Sequence, residues 1–325
     1  MKRIIGFLTV FALALGIGSA MAEPKTKAPP NPFAHKPTIE ITVLFPAGSS
    51  ADITARLLAE GIGKELGTNV IVVNRPGAGG AIGYRHVAGQ KPDGTSLVWN
   101  SNSISTTYHS GTLPFDYKSF VAVAQVLVES PVVAVKSDAK WKTLKDLIAD
   151  GKARPKAITV GNSGVGSHTH ISSVALFRPA GVEAVDVPFG AAQVVPSLLG
   201  GQVDAVVQLP AALAQYVKSG QVRFLAAMIA KRDPAFPDVP TAREQGYDVS
   251  LEAWRGIAVP TGTPVATVAA LELAIRNTVA SKAFVEACER LGARPAFLPS
   301  GQFGALIAKE DALLAKLVDV IGLKK

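Results

Sequence analysis

The chain has 325 residues, 48% of them hydrophobic and 18% charged, with a formal charge of +8 and a single cysteine. One cysteine excludes an intrachain disulfide, so the fold must rest on its apolar core, for which this length is ample. The basic residues are scattered, with no long run and little interleaving with aromatics, which disfavours nucleic-acid binding and leaves only weak steering of small anions.

The N-terminus reads as a secretory signal. Lys2 and Arg3 form a basic start, Ile4–Ile17 is an apolar run too short to span a bilayer comfortably, and Ala20-Met21-Ala22 fits a small-x-small cleavage site. Cleavage after Ala22 is expected, and it removes two cations and no acid. Cys288 lies far from that site, so no lipid anchor is expected. Residues 23–37, rich in Pro and Lys and without apolar periodicity, read as a disordered lead-in outside the fold. The remaining chain, about 290 residues, is long enough for two lobes.

Ile41–Leu44 predicts a short strand, followed by FPAGSSADITARLL from Phe45 to Leu58. The chain turns at Pro46 through Ala47, Gly48, Ser49 and Ser50 into an apolar-periodic helix. That geometry aims backbone N–H groups and a helix dipole at one point, which suits an anion. Ser49 with Asp52 three residues on equally reads as a capping box, and the two readings are compatible.

Strands are expected at Val70–Val73, Ser96–Trp99, Pro131–Val135, Ala157–Val160, Val185–Val187, Val203–Val207 and Phe224–Ile229. Helices are expected at Leu144–Ala149, Ser172–Phe177, Ala192–Leu199 and Ala211–Lys218. This alternation implies α/β lobes, each a mostly parallel sheet flanked by helices. From Pro264 onward the chain reads as helical, at Val265–Val279, Lys282–Leu291 and Gly304–Val320. The order fits a first lobe of residues 38–136 plus 251–325 and a second lobe of 137–250. Ligands of such lobes sit beyond the carboxyl ends of the strands. Those ends carry small and amide side chains, among them Asn100 and Ser101, and Gln208 closes the strand after Asp204. This is the chemistry of backbone hydrogen bonding rather than of acid–base catalysis.

Two glycine-rich loops stand out. Asn74-Arg75-Pro76-Gly77-Ala78-Gly79-Gly80 has Ile82 where the third glycine of a dinucleotide fingerprint belongs, and it reads as a turn shaping a cleft wall. Gly161-Asn162-Ser163-Gly164-Val165-Gly166-Ser167-His168 nearly matches a hydrolase elbow, but Val165 replaces the last glycine and no triad base or acid can be named. His168 and His170 are two apart on a helix and make a poor metal pair. The better reading is a second anion-cradling loop, with Ser163, Gly164, Gly166, Ser167 and the His168 side chain as donors. One such loop per lobe makes a clamp, and closure would exclude water from its charge-assisted bonds. Trp99, Trp141 and Trp254 read as packing residues, and His86 and His109 as surface or satisfied groups with no evident partner.

At these residues the chain resembles the extracytoplasmic receptors of tripartite tricarboxylate transporters, the TctC or Bug type. The matching segments are FPAGSSADITARLL, NRPGAGGAIG, KPDGTSL, GNSGVGSHTH, VPFGAAQVVPSLLGGQVDAVV, the PDVPTAREQG stretch and PTGTP. Their joint order covers nearly the whole mature chain. The resemblance implies a type II-like, two-lobed periplasmic binding fold with no enzymatic activity and no cofactor or metal. It also implies a monomer that carries a small carboxylate to membrane permease subunits. Carried over by position, it places Phe45, Pro46, Ala47, Ser49, Ser50 and Asp52 on one wall, with Asp52 fixing its loop rather than touching an anion. The other wall is Ser163, Gly164, Val165, Gly166, Ser167 and His168, with Phe189, Gly190 and Ala191 beside it. The family usually has PGG at Pro46-Ala47-Gly48 and YKG at Phe189-Gly190-Ala191. The second departure removes a hydroxyl and a cation and leaves room for a larger or aromatic acid. A ligand-sensing receptor and a secreted serine hydrolase using Ser163 are the alternative functions.

Overall fold

Short β-branched runs and helices with one apolar face build two mixed sheets in the computed structural model, which describes residues 32–33, 38–320 and 322–323. The expected signal segment, its cleavage site and most of the lead-in lie outside the described residues. Phe33, however, is buried at 2% exposure and packs against the core beside Gly94, so the fold begins inside the segment read as a lead-in.

The first lobe opens with β1 (Ile39–Val43), α1 (Ser50–Leu66), β2 (Val70–Asn74), α2 (Ala81–Ala88), β3 (Ser96–Ser101), α3 (Ser103–His109) and β4 (Phe120–Glu129). The second follows with β5 (Val132–Lys136), α4 (Leu144–Ala153), β6 (Thr159–Asn162), α5 (His168–Phe177), β7 (Val185–Pro188), α6 (Val194–Leu199), β8 (Ala205–Gln208), α7 (Pro210–Lys218) and β9 (Val222–Ala227). The chain then returns through β10 (Ala253–Pro260), α8 (Val265–Ala280), α9 (Lys282–Leu291), β11 (Ala293–Pro299) and α10 (Ser300–Val320).

The strand orders are β2-β1-β3-β10-β4-β11 and β7-β6-β8-β5-β9. Both sheets are mixed, with four of the six strands in the first and four of the five in the second running the same way. β1 runs parallel to β2 and β3, but β10 is antiparallel to β3 and β4, and β11 to β4. In the second sheet β6 is parallel to β7 and β8, while β5 is antiparallel to β8 and β9. The cause is the crossing: β10 and β5 enter their sheets from the side of the other lobe, beside the carboxyl ends of β3 and β8. The first crossing falls at Ser130-Pro131, because β5 pairs with β8 from Val132 onward. It lies ahead of the boundary expected after residue 136.

One apolar cluster fills the first lobe around Trp99, Tyr84 and Ile41, and two others cover the opposite faces of the second sheet. α10 leaves the first lobe to pack Leu317 against Ile171 and Val174 of α5, tying the lobes together. Among the described residues no helix is long and apolar enough to cross a membrane.

Candidate functional site

The carboxyl ends of β1 and β6 face one another, and each leads into a helix capped by a serine. At α1, Ser49 adopts an extended conformation and its Oγ accepts from Asp52 N at 3.3 Å. The reciprocal half of a capping box is absent. Asp52 Oδ2 instead accepts from Gly48 N at 3.0 Å, where Gly48 turns the loop at φ +79°, and Oδ1 takes Asn74 Nδ2 at 3.0 Å and Arg56 at 2.8 Å. Burial opposes ionisation of Asp52, but the bonds from Arg56, Gly48 and Asn74 outweigh it and hold its carboxyl below the usual range. Asp52 thus stiffens the turn.

The second loop differs from its expected role as a cradle of free amides. Ser163 N donates to Thr169 Oγ1 (2.9 Å), Gly164 N to Asn162 Oδ1 (3.1 Å), Gly166 N to His170 Nδ1 (3.2 Å) and Ser167 N to Gly164 O (3.0 Å). Short polar side chains in the same loop capture these donors first. Ser167 Oγ caps α5 by accepting from His170 N at 3.2 Å. The amides left without an acceptor inside their helix are the first two of each, Ser50 and Ala51 in α1 and His168 and Thr169 in α5.

Those four residues line one small inner chamber of about 20 Å³, room for roughly one water, together with Phe45, Ser49, Ser101, Ser163, Ser167 and Gln208. A wider outer chamber of about 410 Å³ opens beside it, between Pro46 and Gly77–Gly80 on one side and Gly164, Val165, Phe189 and Gly190 on the other. Phe45, Ser163 and Ala191 border both and form the neck. The lobes touch where Thr106 Oγ1 donates to Gly166 O at 2.8 Å. They meet again at Gly79, where a Cβ would lie 3.2 Å from Val165 O. Gln208 Nε2 donates to Ser163 Oγ at 3.1 Å, fixing both side chains at the second wall.

Besides Asp52, which borders neither chamber, three expected site residues lie elsewhere. Asn100 Oδ1 accepts from Tyr84 OH at 2.7 Å and borders a separate hollow near Tyr117. Ala47 faces another groove against α7, and Gly166 serves the contact between lobes rather than either chamber. His86 and His109 do have partners, with Nε2 lying 3.6 Å from Glu40 and 3.0 Å from Asp311.

The floor of the inner chamber holds a charge that the sequence reading missed. Along β10 side chains alternate, so Ala253 and Arg255 enter the chamber while Trp254 packs edge-on against Phe303 at 5.0 Å. Arg255 is 5% exposed and Glu129, at the end of β4, is 1% exposed. Arg255 Nε lies 3.7 Å from Glu129 Oε2, and Ser50 Oγ donates to Glu129 Oε1. Burial pushes the Glu129 pKa up, and Arg255 and Ser50 only partly oppose it; burial likewise lowers that of Arg255 against the pull of Glu129. His168 is pushed down to about 4 by burial, which outweighs the pull of the Leu251 carbonyl, and Arg255 adds a smaller repulsion. The imidazole is neutral at pH 7 and brings no cation to an anion. The missed signal was a lone arginine inside the apolar run AWRGIAVP, since a buried strand carries a charge only with a partner.

Two facing helix N-termini over a small buried chamber, between lobes joined by crossing strands, define a class of two-lobed solute-binding proteins. The sequence model of the tripartite tricarboxylate transporter family receptors, TctC, matches residues 54–323, and the chain belongs to that family. It is 31% identical to Protein BugT of Bordetella pertussis over all of this chain and 99% of that protein. Among solved structures it is similar to periplasmic binding protein BugD, with a TM-score of 0.84 and 30% identity over 89% of this chain and 99% of that one. It is also similar to MatC of Rhodopseudomonas palustris with bound malate, with a TM-score of 0.81 and 26% identity over 87% and 99% of the two chains.

Proposed function

We propose that this protein is an extracytoplasmic receptor, cut after Ala22 and released into the periplasm. It closes on a small organic carboxylate and hands it to the permease subunits of a tripartite tricarboxylate transporter. The observation that carries this reading is the two pairs of unpaired first-turn amides, Ser50-Ala51 and His168-Thr169, converging on one buried chamber. Each N-terminus presents free amides and roughly half a positive charge, which is the setting for a carboxylate oxygen. The malate bound by MatC, a relative of the same fold, supports a carboxylate as the cargo class. No chemistry is assigned to the cleft: Ser163 Oγ is taken up by its hydrogen bond with the Gln208 amide.

The test is a thermal-shift screen of residues 23–325, unfolded and refolded to strip co-purified ligand, against carboxylates and their neutral amides. A cognate acid at a hundred times its Kd adds about 2.7 kcal/mol to folding stability, and its melting temperature rises accordingly. A shift with acids but not amides is the expected outcome; no shift with any acid overturns the reading.

A further inference from the structure

We propose that Arg255, balanced by Glu129, is the anchor for the ligand's carboxylate, and that the ligand is an acid with a single carboxylate on an apolar, ring-sized body. This inference rests on the carboxylate-receptor reading and narrows it.

The arginine is built into the site yet incompletely satisfied. It is nine-tenths buried and lines the inner chamber, and its Nε has no hydrogen-bond partner. The facing oxygen, Glu129 Oε2, is likewise unpartnered, and their 3.7 Å separation is an ion pair without a hydrogen bond. Guanidinium carries five donors in a planar fork that matches a carboxylate, and a buried donor without an acceptor costs stability. One oxygen of a ligand carboxylate, entering this chamber from the neck in place of a water, would supply an acceptor and meet the amides of the helix starts.

Charge limits the ligand to one carboxylate there. Glu129 cancels Arg255 and His168 is neutral, so the remaining positive field comes from the two helix N-termini, about half an elementary charge each. The outer chamber offers a second carboxylate no side-chain counter-charge. Its border carries no ionisable side chain, and its only hydroxyl is that of Ser163. A carboxylate lodged there would lose its water without gaining a counter-charge. An apolar body gains instead, passing Phe45, whose ring already lies 5.7 Å from the Arg255 guanidinium carbon, to reach Phe189. The space of about 410 Å³ lies within the range of small-molecule sites. Gly190 borders this chamber, but a side chain there would run into that of Gln193, which does not line it.

The experiment is calorimetric titration of residues 23–325 with benzoate, phenylacetate, benzamide and adipate. It is repeated on Arg255→Lys and on the double variant Arg255→Gln with Glu129→Gln, which removes both charges together. We expect benzoate or phenylacetate to bind at least about tenfold tighter than adipate, and benzamide not to bind. The double variant, its fold checked by circular dichroism, should bind the aryl acid about 100-fold more weakly. Arg255→Lys keeps the charge but not the fork, and should weaken binding about fivefold or more, which serves as the readout if the double variant does not fold. Affinity unchanged within about threefold in the folded variants overturns the anchor. Tighter binding of adipate overturns the single-carboxylate claim while leaving the receptor reading intact, whereas a wild-type protein that binds no acid ends both.

Discussion

The two walls of the cleft share one plan, a strand that turns through small residues into a serine-capped helix, but they are braced by opposite means. The α1 wall is held by charge: Asp52 gathers Gly48, Asn74 and Arg56, and Ser50 reaches the buried Glu129 beside Arg255. On the α5 wall the groups that take the loop amides are neutral, Thr169, Asn162 and His170, with Gln208 fixing Ser163, and the carboxylate of Asp186 stands behind them, accepting from Asn162 Nδ2 at 3.3 Å and from Ser173 Oγ at 2.6 Å. Neutral acceptors position the second loop without lining the chamber with a charge, since Asp186 does not border it. Buried charges position the first loop and also create a field, so the electrostatic preference of the cleft is set from the first lobe.

The largest break in this contrast comes from Glu129→Leu. It leaves Arg255 buried without a counter-ion and should cost about 3–5 kcal/mol in urea denaturation. Adding Arg255→Met should recover most of that loss, because an apolar pair of similar volume is often neutral or stabilising. A double variant as unstable as the single one would show that packing, rather than charge, is at stake.

The second effect belongs to the α5 wall and depends on pH. His168 has a folded pKa of about 4, below its value near 6.5 in the unfolded chain. The unfolded state therefore binds the extra proton first. The contribution is complete above about pH 6.5 and is lost as pH falls toward 4, amounting to about 3 kcal/mol across that window. Stability curves at several pH values should show this slope, and His168→Gln should flatten it; an unchanged slope would place the titration elsewhere.

The smallest effect sharpens the likeness of the two walls. Ser49→Ala and Ser167→Ala each remove one cap and should each cost about 1 kcal/mol by denaturation. A much larger loss at one serine would show that the two starts are not equivalent supports.

Much of this architecture was legible in the chain because it is local. The loops before α1 and α5 carry their own turn residues, so Ser49 and Ser167 could be placed at helix starts, and Phe45, Ser163 and Gln208 at strand ends. Three strands were not legible. β4 and β10 are long apolar runs without alternation, since both their faces are covered, and periodicity cannot type such runs. β11 contains Pro295 and Pro299 and reads as a break, which an edge strand paired only with β4 tolerates. Arg255 was lost with β10. The free amides were misplaced because acceptors such as Asn162 Oδ1 and Thr169 Oγ1 capture loop donors by geometry that spacing does not reveal.

The position of β10 also governs the order in which the molecule can assemble. The second sheet is built entirely from residues 132–227, a continuous segment, and its strands can pair as soon as that stretch is free. The first sheet has its centre filled by a strand that follows the whole second lobe in the chain. Its β3 and β4 therefore stay unbridged until residues 253–260 arrive, and closing it must bring together segments more than a hundred residues apart, which makes for slow folding. The lobe that carries the charged wall is thus the last to be completed, and until then its apolar strands are the part of the chain most exposed to aggregation.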